Sequence, residues 1–201
     1  MVYRFKFCAK IVIMKKRAVV YDFDNTIWHS HDRESGMQLY LKEMKVRWPH
    51  VGWYGRIETL QYPFVAYPVD EKYLVTEVFN QYKIDKGRED TNIYLMTGRP
   101  LKMKSHIVEL LNKVGMTFDR YFFKTNFKDT IIEKLKNISD EIIHPDLEIL
   151  EIWEDRSEHV DEFLKESRNN WIEKLKTIVI HDVTANQHYT VQNLQKEQNE
   201  D

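Results

Sequence analysis

Short apolar runs rich in β-branched residues alternate along the chain with longer segments of helical periodicity. Ala18-Val19-Val20-Tyr21 is the first such run and ends in a cluster of acids. It predicts a buried strand with functional groups at its carboxyl end. Asn92-Ile93-Tyr94-Leu95-Met96 predicts a second strand, stopped by Thr97-Gly98-Arg99-Pro100. In the helix that follows, Ile107, Leu110, Leu111 and Val114 keep one face, and Gly115 is placed to end it. Tyr121-Phe122-Phe123 predicts a third strand, and Ile131, Ile132 and Leu135 a helix over 128–138. A fourth strand over 147–153 ends in Glu154-Asp155-Arg156. Val160, Phe163, Leu164, Trp171 and Leu175 form the inner stripe of another helix, and residues 177–181 make a fifth strand.

Strands alternating with helices predict an α/β fold, a doubly wound, Rossmann-like parallel sheet covered on both faces. Such sheets hold ligands at the carboxyl ends of their strands. The polar clusters 22–26, 97–99 and 154–156 all fall there. Residues 28–90 interrupt the alternation after the first strand, with Trp28, Trp48, Trp53 and Tyr54 among Pro49, Pro63 and Pro68. They read as an insertion packed beside or above the site, with a helix over 69–84 leading back to the sheet. Residues 17–190 thus form one domain, with 1–16 as an N-terminal extension and 191–201 as a polar tail. Met14, just ahead of Lys15-Lys16-Arg17, offers an alternative start.

Composition narrows the class. The chain has 201 residues, 42% hydrophobic and 31% charged, with a formal charge of -2. That balance excludes a protein that coats nucleic acid through a broad basic surface. It leaves room for a pocket that takes one phosphorylated end. Cys8 is the single cysteine, so no intramolecular disulfide or Cys-rich zinc site is expected. Arg4, Lys6 and Lys10 break the apolar N-terminus, and no apolar run approaches the roughly 18 residues of a membrane span. The expectation is a soluble, intracellular, cytoplasmic protein, with nothing that points to a stable protein partner.

Asp22 and Asp24 lie two residues apart just past a strand, on the same side of an extended backbone. They can therefore address one phosphate and one metal ion together. Phosphoryl transfer needs a nucleophile, a proton donor for the leaving oxygen and cations to neutralise the phosphate oxygens. Asp22 is the candidate nucleophile, and Asp24 the candidate acid for the leaving alcohol and base for water. Thr97 offers a hydroxyl to a phosphate oxygen, and a lysine at a helix start, preferably Lys128, adds charge. Asp155, with Asp22 and the backbone carbonyl of Asp24, would complete a hard-oxygen Mg2+ site. Each cluster alone has a plain alternative. Asp-x-Asp is commonly a turn or cap, Thr-Gly-Arg a turn, and Glu-Asp-Arg a solvated run of charge. Their order, each at a predicted strand end or helix start, favours the joint reading.

Asp22-Phe23-Asp24-Asn25-Thr26 resembles the first motif of haloacid dehalogenase (HAD) superfamily phosphatases. Thr97-Gly98-Arg99 resembles the second and Glu154-Asp155 the acidic fourth, while Lys128 falls where the third-motif lysine is expected. Lys124 competes for that role. Phe127-Lys128, then Ile152-Trp153-Glu154-Asp155-Arg156 with His159 and Phe163, resembles the HAD domain of Swiss Army Knife RNA repair-like proteins. Gly52-Trp53-Tyr54, with Leu60 following, is similar to that family's Gly-Trp-aromatic segment. The 3'-phosphatase half of phage polynucleotide kinase–phosphatase is similar at the same motifs, but Glu154 departs from its first Asp there. The resemblance covers about residues 17–182. It implies a magnesium-dependent phosphohydrolase with an aspartyl-phosphate intermediate, in which Asn25, Thr26, Gly98 and Arg99 bind substrate.

The expected substrate is a phosphorylated RNA or DNA 3' end. A nucleotide or other small-molecule phosphatase is the alternative within enzymology, and a catalytically silent module binding RNA ends or a repair partner is the rival outside it. Several residues carry two readings. His159 suits a structural hydrogen bond as well as catalysis. Arg99 and Arg156 suit a second phosphate, a strand backbone or a stiffening salt bridge. Trp28, Trp53 and Tyr54 suit base stacking or a small core of the insertion. His29 and His31 lack the matched ligands of a transition-metal site.

Overall fold

The computed structural model describes residues 15–126 and 129–193. Its centre is a six-stranded sheet formed by β1 (Arg17–Tyr21), β2 (Thr91–Pro100), β3 (Arg120–Lys124), β4 (Ile149–Glu154), β5 (Thr177–Asp182) and β6 (Gln187–Gln192). The order is β3-β2-β1-β4-β5-β6; β6 alone is antiparallel, paired to β5. The helices are α1 (Arg33–Met44), α2 (Thr76–Lys86), α3 (Lys104–Lys113), α4 (Thr130–Asn137) and α5 (Ser157–Glu166).

Strand β1 shows why the sheet must be covered on both faces. Val19 and Tyr21 point into one apolar cluster with Ile107, Leu110 and Leu111 of α3 and Val78, Phe79 and Tyr82 of α2. Ala18 and Val20 point into the other, with Ile138, Ile142 and α5 residues Val160, Phe163 and Leu164. A strand apolar on both sides is stable only between two helical layers. The chain passes from β1 to β2 and β3 on one side, then crosses to β4 and β5 on the other. Winding therefore reverses between β1 and β4, and the carboxyl ends of that pair open a crevice.

Five strands lie where the pattern predicts them, with ends shifted by a few residues. β6 was not expected. It takes up residues 191 and 192 of the supposed tail, returning through a turn in which Asn186 has a φ of 51°. Its exposed polar residues carry no core signal. The helix expected over 69–84 begins only at Thr76. Asp70 instead caps a single tight turn over Glu71–Tyr73 by accepting from the Lys72 N–H. Gly115, at a φ of 75°, ends α3 as expected, where the Met116 N–H reaches the Leu111 carbonyl.

The insertion has its own small core. Trp48, Trp53 and Phe64 are buried together against Met37, Leu39 and Tyr40. Trp28 belongs to the main core, stacked between Phe23 and Tyr73 with ring centroids at 5.8 and 5.3 Å. Trp28 and Trp53 are thus packing residues, 1% and 5% exposed, with no face left for a base. Trp53 lies directly on α1, and a Cβ on Gly36 would stand 2.1 Å from its Cζ2. Among the described residues no helix is long and apolar enough to cross a membrane.

Gly36→Ala is therefore expected to push Trp53 off α1 and lower the melting temperature by an amount equivalent to about 1–3 kcal/mol. A thermal melt followed by tryptophan fluorescence checks this. An unchanged melt would mean that the insertion does not contribute to cooperative stability.

Candidate active site

Asp22 is the first residue beyond β1, and its N–H donates to the Trp153 carbonyl at 3.0 Å. This keeps it in sheet geometry beside β4 and fixes its height at the end of the crevice. Phe23 then turns into the core, and Asp24 emerges on the same side as Asp22. The loop closes on itself: the Asn25 N–H donates to the Trp28 carbonyl, and the Ile27 and Trp28 N–H groups donate to the Phe23 carbonyl. Asn25 occupies the left-handed region at a φ of 53°, which asparagine tolerates. Two carboxylates are thereby held rigidly at one strand end.

Opposite them stands Lys134, on the inner face of α4. Its Nζ lies 2.6 Å from Asp22 Oδ1 and 2.6 Å from Glu154 Oε2, in an almost fully buried triad. His159, from α5, places Nδ1 3.2 Å from Glu154 Oε1, though without hydrogen-bond alignment. Carboxylate oxygens of Asp22, Glu154 and Asp155 lie within 4.8 Å of one another. These three acids could close around one cation.

Asp24 is held by a second buried cation. Arg99 grips it in a bidentate pair, with Nε 2.9 Å from Oδ2 and Nη2 2.6 Å from Oδ1. Ser30 Oγ donates to the same Oδ1 at 2.5 Å. Strand β2 was expected to stop at Thr97, but it continues through Pro100 with a register shift against β3. The irregularity re-aims the strand end. Arg99 turns beneath Asp24 with only 1% of its surface exposed.

Four carboxylates thus face two buried cations, Lys134 and Arg99, and the charges set each other. Burial pushes the Asp22 carboxyl well above the usual range; Lys134 opposes this, while Glu154, Asp155 and Asp24 add to it. Asp155 is pushed up to about 7, by burial first and then by Glu154. Burial would also raise Glu154, but Lys134 and His159 bring it down to about 2. Burial would lower Lys134, yet its two carboxylates raise it above an ordinary lysine. The ammonium stands equally close to both acids, and burial together with the neighbouring carboxylates keeps Asp22 raised.

The crevice is a cavity of about 670 Å3, with Asp22, Lys134 and Asp155 inside and Tyr54, Arg156 and Thr184 around it. Of the remaining sequence candidates, Asn25 and Gly98 line this cavity. Thr26 is fully buried and is not among the residues that line it. Thr97 lines a small adjoining pocket, and its Oγ1 accepts from the Arg99 N–H at 3.1 Å. Every arm of the Arg99 guanidinium contacts protein, which supports its stiffening reading over direct binding of substrate. His159 is buried in the cavity wall. Lys124 reaches Thr130 Oγ1 at 3.2 Å, and Lys128 lies outside the described residues.

Lys134 was not singled out by sequence, although a signal existed. It falls three residues after Ile131 and four before Ile138, on the inward stripe of its helix. A lysine on an apolar stripe needs a buried anion. Glu154, the departure from the phage enzyme's first Asp, also binds Lys134.

No protein-family model matches the chain, and no curated protein matches it. Solved structures do share its fold. One, the Pnkp1/Rnl/Hen1 complex, aligns at a TM-score of 0.50 and 18% identity over 77% of this chain and 44% of its own. Another, the Pnkp1/Rnl/Hen1 RNA repair complex, aligns at 0.50 and 18% over 76% and 40%. The chain spans less than half the length of these neighbours, and at this identity the likeness is one of fold.

The crowding of carboxylates should be visible in stability. Asp155 holds a proton up to about pH 7 when folded but only to about 3.8 when unfolded. Its contribution therefore stabilises at low pH and is lost as pH rises through 7. In metal-free buffer, Asp155→Asn should raise the melting temperature at about pH 8 and change it little near pH 4, where the native side chain is already neutral. Thermal melts of both proteins at the two pH values check this. A destabilised variant at the higher pH would contradict the assigned repulsion.

Proposed function

We propose that this protein is a magnesium-dependent phosphohydrolase of the HAD type, acting through Asp22 on a phosphorylated nucleic-acid end, an RNA 3'-phosphate. The observation that carries the reading is the Asp22–Lys134–Glu154 triad at the switch point of a parallel sheet, with Asp24 beside it. This provides a nucleophile, a fixed cation and a proton-transfer group at one cavity. The two unbalanced negative charges also fit a divalent ion. Asp22, Asp155 and the backbone carbonyl of Asp24 are the groups that would hold Mg2+, and Glu154, paired with Lys134 through Oε2 as Asp22 is through Oδ1, belongs to the same cluster of carboxylates. The ion would supply positive charge to the phosphate oxygens.

The chain's own residues then divide the work. Lys134 occupies Asp22 Oδ1, so the attacking electron pair comes from Oδ2. Asp24 enters this step protonated on Oδ2, which accepts from Arg99 Nε alone, and delivers that proton to the leaving oxygen as its bond to phosphorus breaks. The resulting aspartyl-phosphate is cleaved by water that gives its proton to Asp24, which frees Asp22 and releases phosphate. Lys134 takes the role expected of a third-motif lysine. It neutralises Asp22 between attacks and stands close to the transferred group.

The substrate assignment has separate support. The neighbouring folds come from an RNA repair complex, and the branch resembled in sequence points the same way. Tyr54 stands 40% exposed at the cavity, available to stack on a base, and Arg156 is exposed beside it for a strand phosphate.

Asp22→Asn should remain folded and release no phosphate, and EDTA should stop the wild-type reaction. A screen with magnesium against 3'-phosphorylated, 5'-phosphorylated and mononucleotide substrates should favour the 3'-phosphorylated oligonucleotide. Turnover by Asp22→Asn, or full activity in EDTA, would end the covalent-aspartate reading. Preference for mononucleotides would indicate a small-molecule phosphatase, and binding of RNA ends without turnover a silent module. Between the lysines, Lys134→Ala should cost at least about tenfold more activity than Lys124→Ala, or roughly 1.4 kcal/mol of transition-state stabilisation. The reverse order in steady-state assays would remove Lys134 from its assigned role.

A further inference from the structure

Arg99 is unusual in where its hydrogen bonds go. Two arms serve Asp24, but Nη1 leaves the sheet altogether and donates to Thr59 Oγ1 at 2.8 Å and to the Tyr54 carbonyl at 3.3 Å. Both acceptors belong to the insertion. Thr59 is well prepared for the task. Its hydroxyl hydrogen goes to the Arg56 carbonyl at 2.7 Å, which turns an oxygen lone pair toward the guanidinium. The turn that carries it, Ile57–Leu60, is pinned by Leu60, 1% exposed in the main core, and by His106 Nε2 at 3.1 Å from the Leu60 carbonyl. Asp24 Oδ1, which Arg99 Nη2 holds, also accepts from Ser30 Oγ at the start of the insertion.

We propose that Thr59 and Ser30 are positioning residues for Asp24, with Thr59 acting through Arg99, so that the insertion aims the proton-transfer carboxylate. The proposal rests on the phosphohydrolase reading above. A planar guanidinium is a rigid connector, because its donors keep fixed angles to one another. Fixing Nη1 on Thr59 therefore fixes the plane of Nε and Nη2, and with it the plane of the Asp24 carboxylate. Ser30 removes the remaining rotation by holding Oδ1. Neither residue meets the transferred phosphoryl group, since Asp22 and Lys134 form that side of the cavity. Loss of either should disturb proton transfer and leave nucleophilic attack intact. Tyr54 joins the arrangement through its backbone carbonyl, and its ring, 5.5 Å from the Arg99 guanidinium carbon, belongs to a residue that lines the cavity. A leaving group resting on that ring thus presses on the same segment that orients Asp24.

The test is leaving-group dependence, which a merely structural role would not alter. Thr59→Val keeps the side-chain shape and removes the acceptor; Thr59→Ser keeps the oxygen. Because the water step uses Asp24 on every substrate, the readout is the single-turnover rate of leaving-group release: on a nucleoside 3'-phosphate, whose alcohol needs a proton to leave, Thr59→Val should lower that rate about tenfold or more. On para-nitrophenyl phosphate, whose leaving group needs none, the single-turnover release of nitrophenolate should fall by less than about threefold. Thr59→Ser should lie within about twofold of wild type on both. Equal losses on the two substrates, or no loss on either, would overturn the proposal. If Thr59→Val does not fold, Ser30→Ala carries the same pair of expectations, and a flat profile there overturns it equally. Asp24→Asn is the control that separates the two claims. If it lacks the leaving-group signature, the acid–base reading itself has failed. If it has the signature and the Thr59 and Ser30 variants do not, only the positioning proposal falls.

Discussion

An ammonium 2.6 Å from each of two buried carboxylates is the contact on which the site depends. Without Lys134, Asp22 and Glu154 would stand as bare, almost fully buried charges at adjacent strand ends. Burying charge in this way costs several kcal/mol per ion unless a partner is supplied. The partner arrives from α4, whose apolar stripe packs on one face of the sheet. Sheet and helix must therefore dock correctly before the acids can be tolerated. The site is in this sense a product of core packing.

The compensation is incomplete, and that has chemical meaning. Lys134 and Arg99 cannot neutralise Asp22, Asp24, Glu154 and Asp155 together, and the excess appears as the upward displacement of Asp22 and Asp155. Structural ion-pair networks ordinarily balance their charges. Such an excess of negative charge beside a cavity is what the proposed cation and proton-transfer roles would use. The insertion contributes as well, because Arg99 bonds to it and to Asp24 at once. It therefore acts as part of the wall that shapes the site, and its aromatic residues divide accordingly. Trp48 and Trp53 build its interior, whereas Tyr54 remains at the opening.

Much of this was legible in the linear pattern. The five central strands announced themselves as short β-branched runs because a strand buried on both faces has little choice of residue. Asp22, Asp24 and Asp155 could be placed at strand ends for the same reason: the runs end where polar residues begin. Strand β6 could not, since it lies at an edge, is largely solvated, and gains its place from pairing with β5. The start of α2 was misplaced because a single Asp70 cap diverts the chain into a tight turn first.

Sequence by itself determined the α/β alternation, the crevice at the strand ends and the residue types gathered there, because local periodicity and burial follow from the order of side chains. Tertiary structure alone decided the partners. Lys134 meets Asp22 across 112 positions and Arg99 meets Asp24 across 75. Such pairings depend on how helices and strand ends dock. A lysine on an apolar stripe and an arginine in a turn can each satisfy their charge in many ways, until the packed sheet brings one carboxylate within reach and excludes the water that would otherwise compete for it.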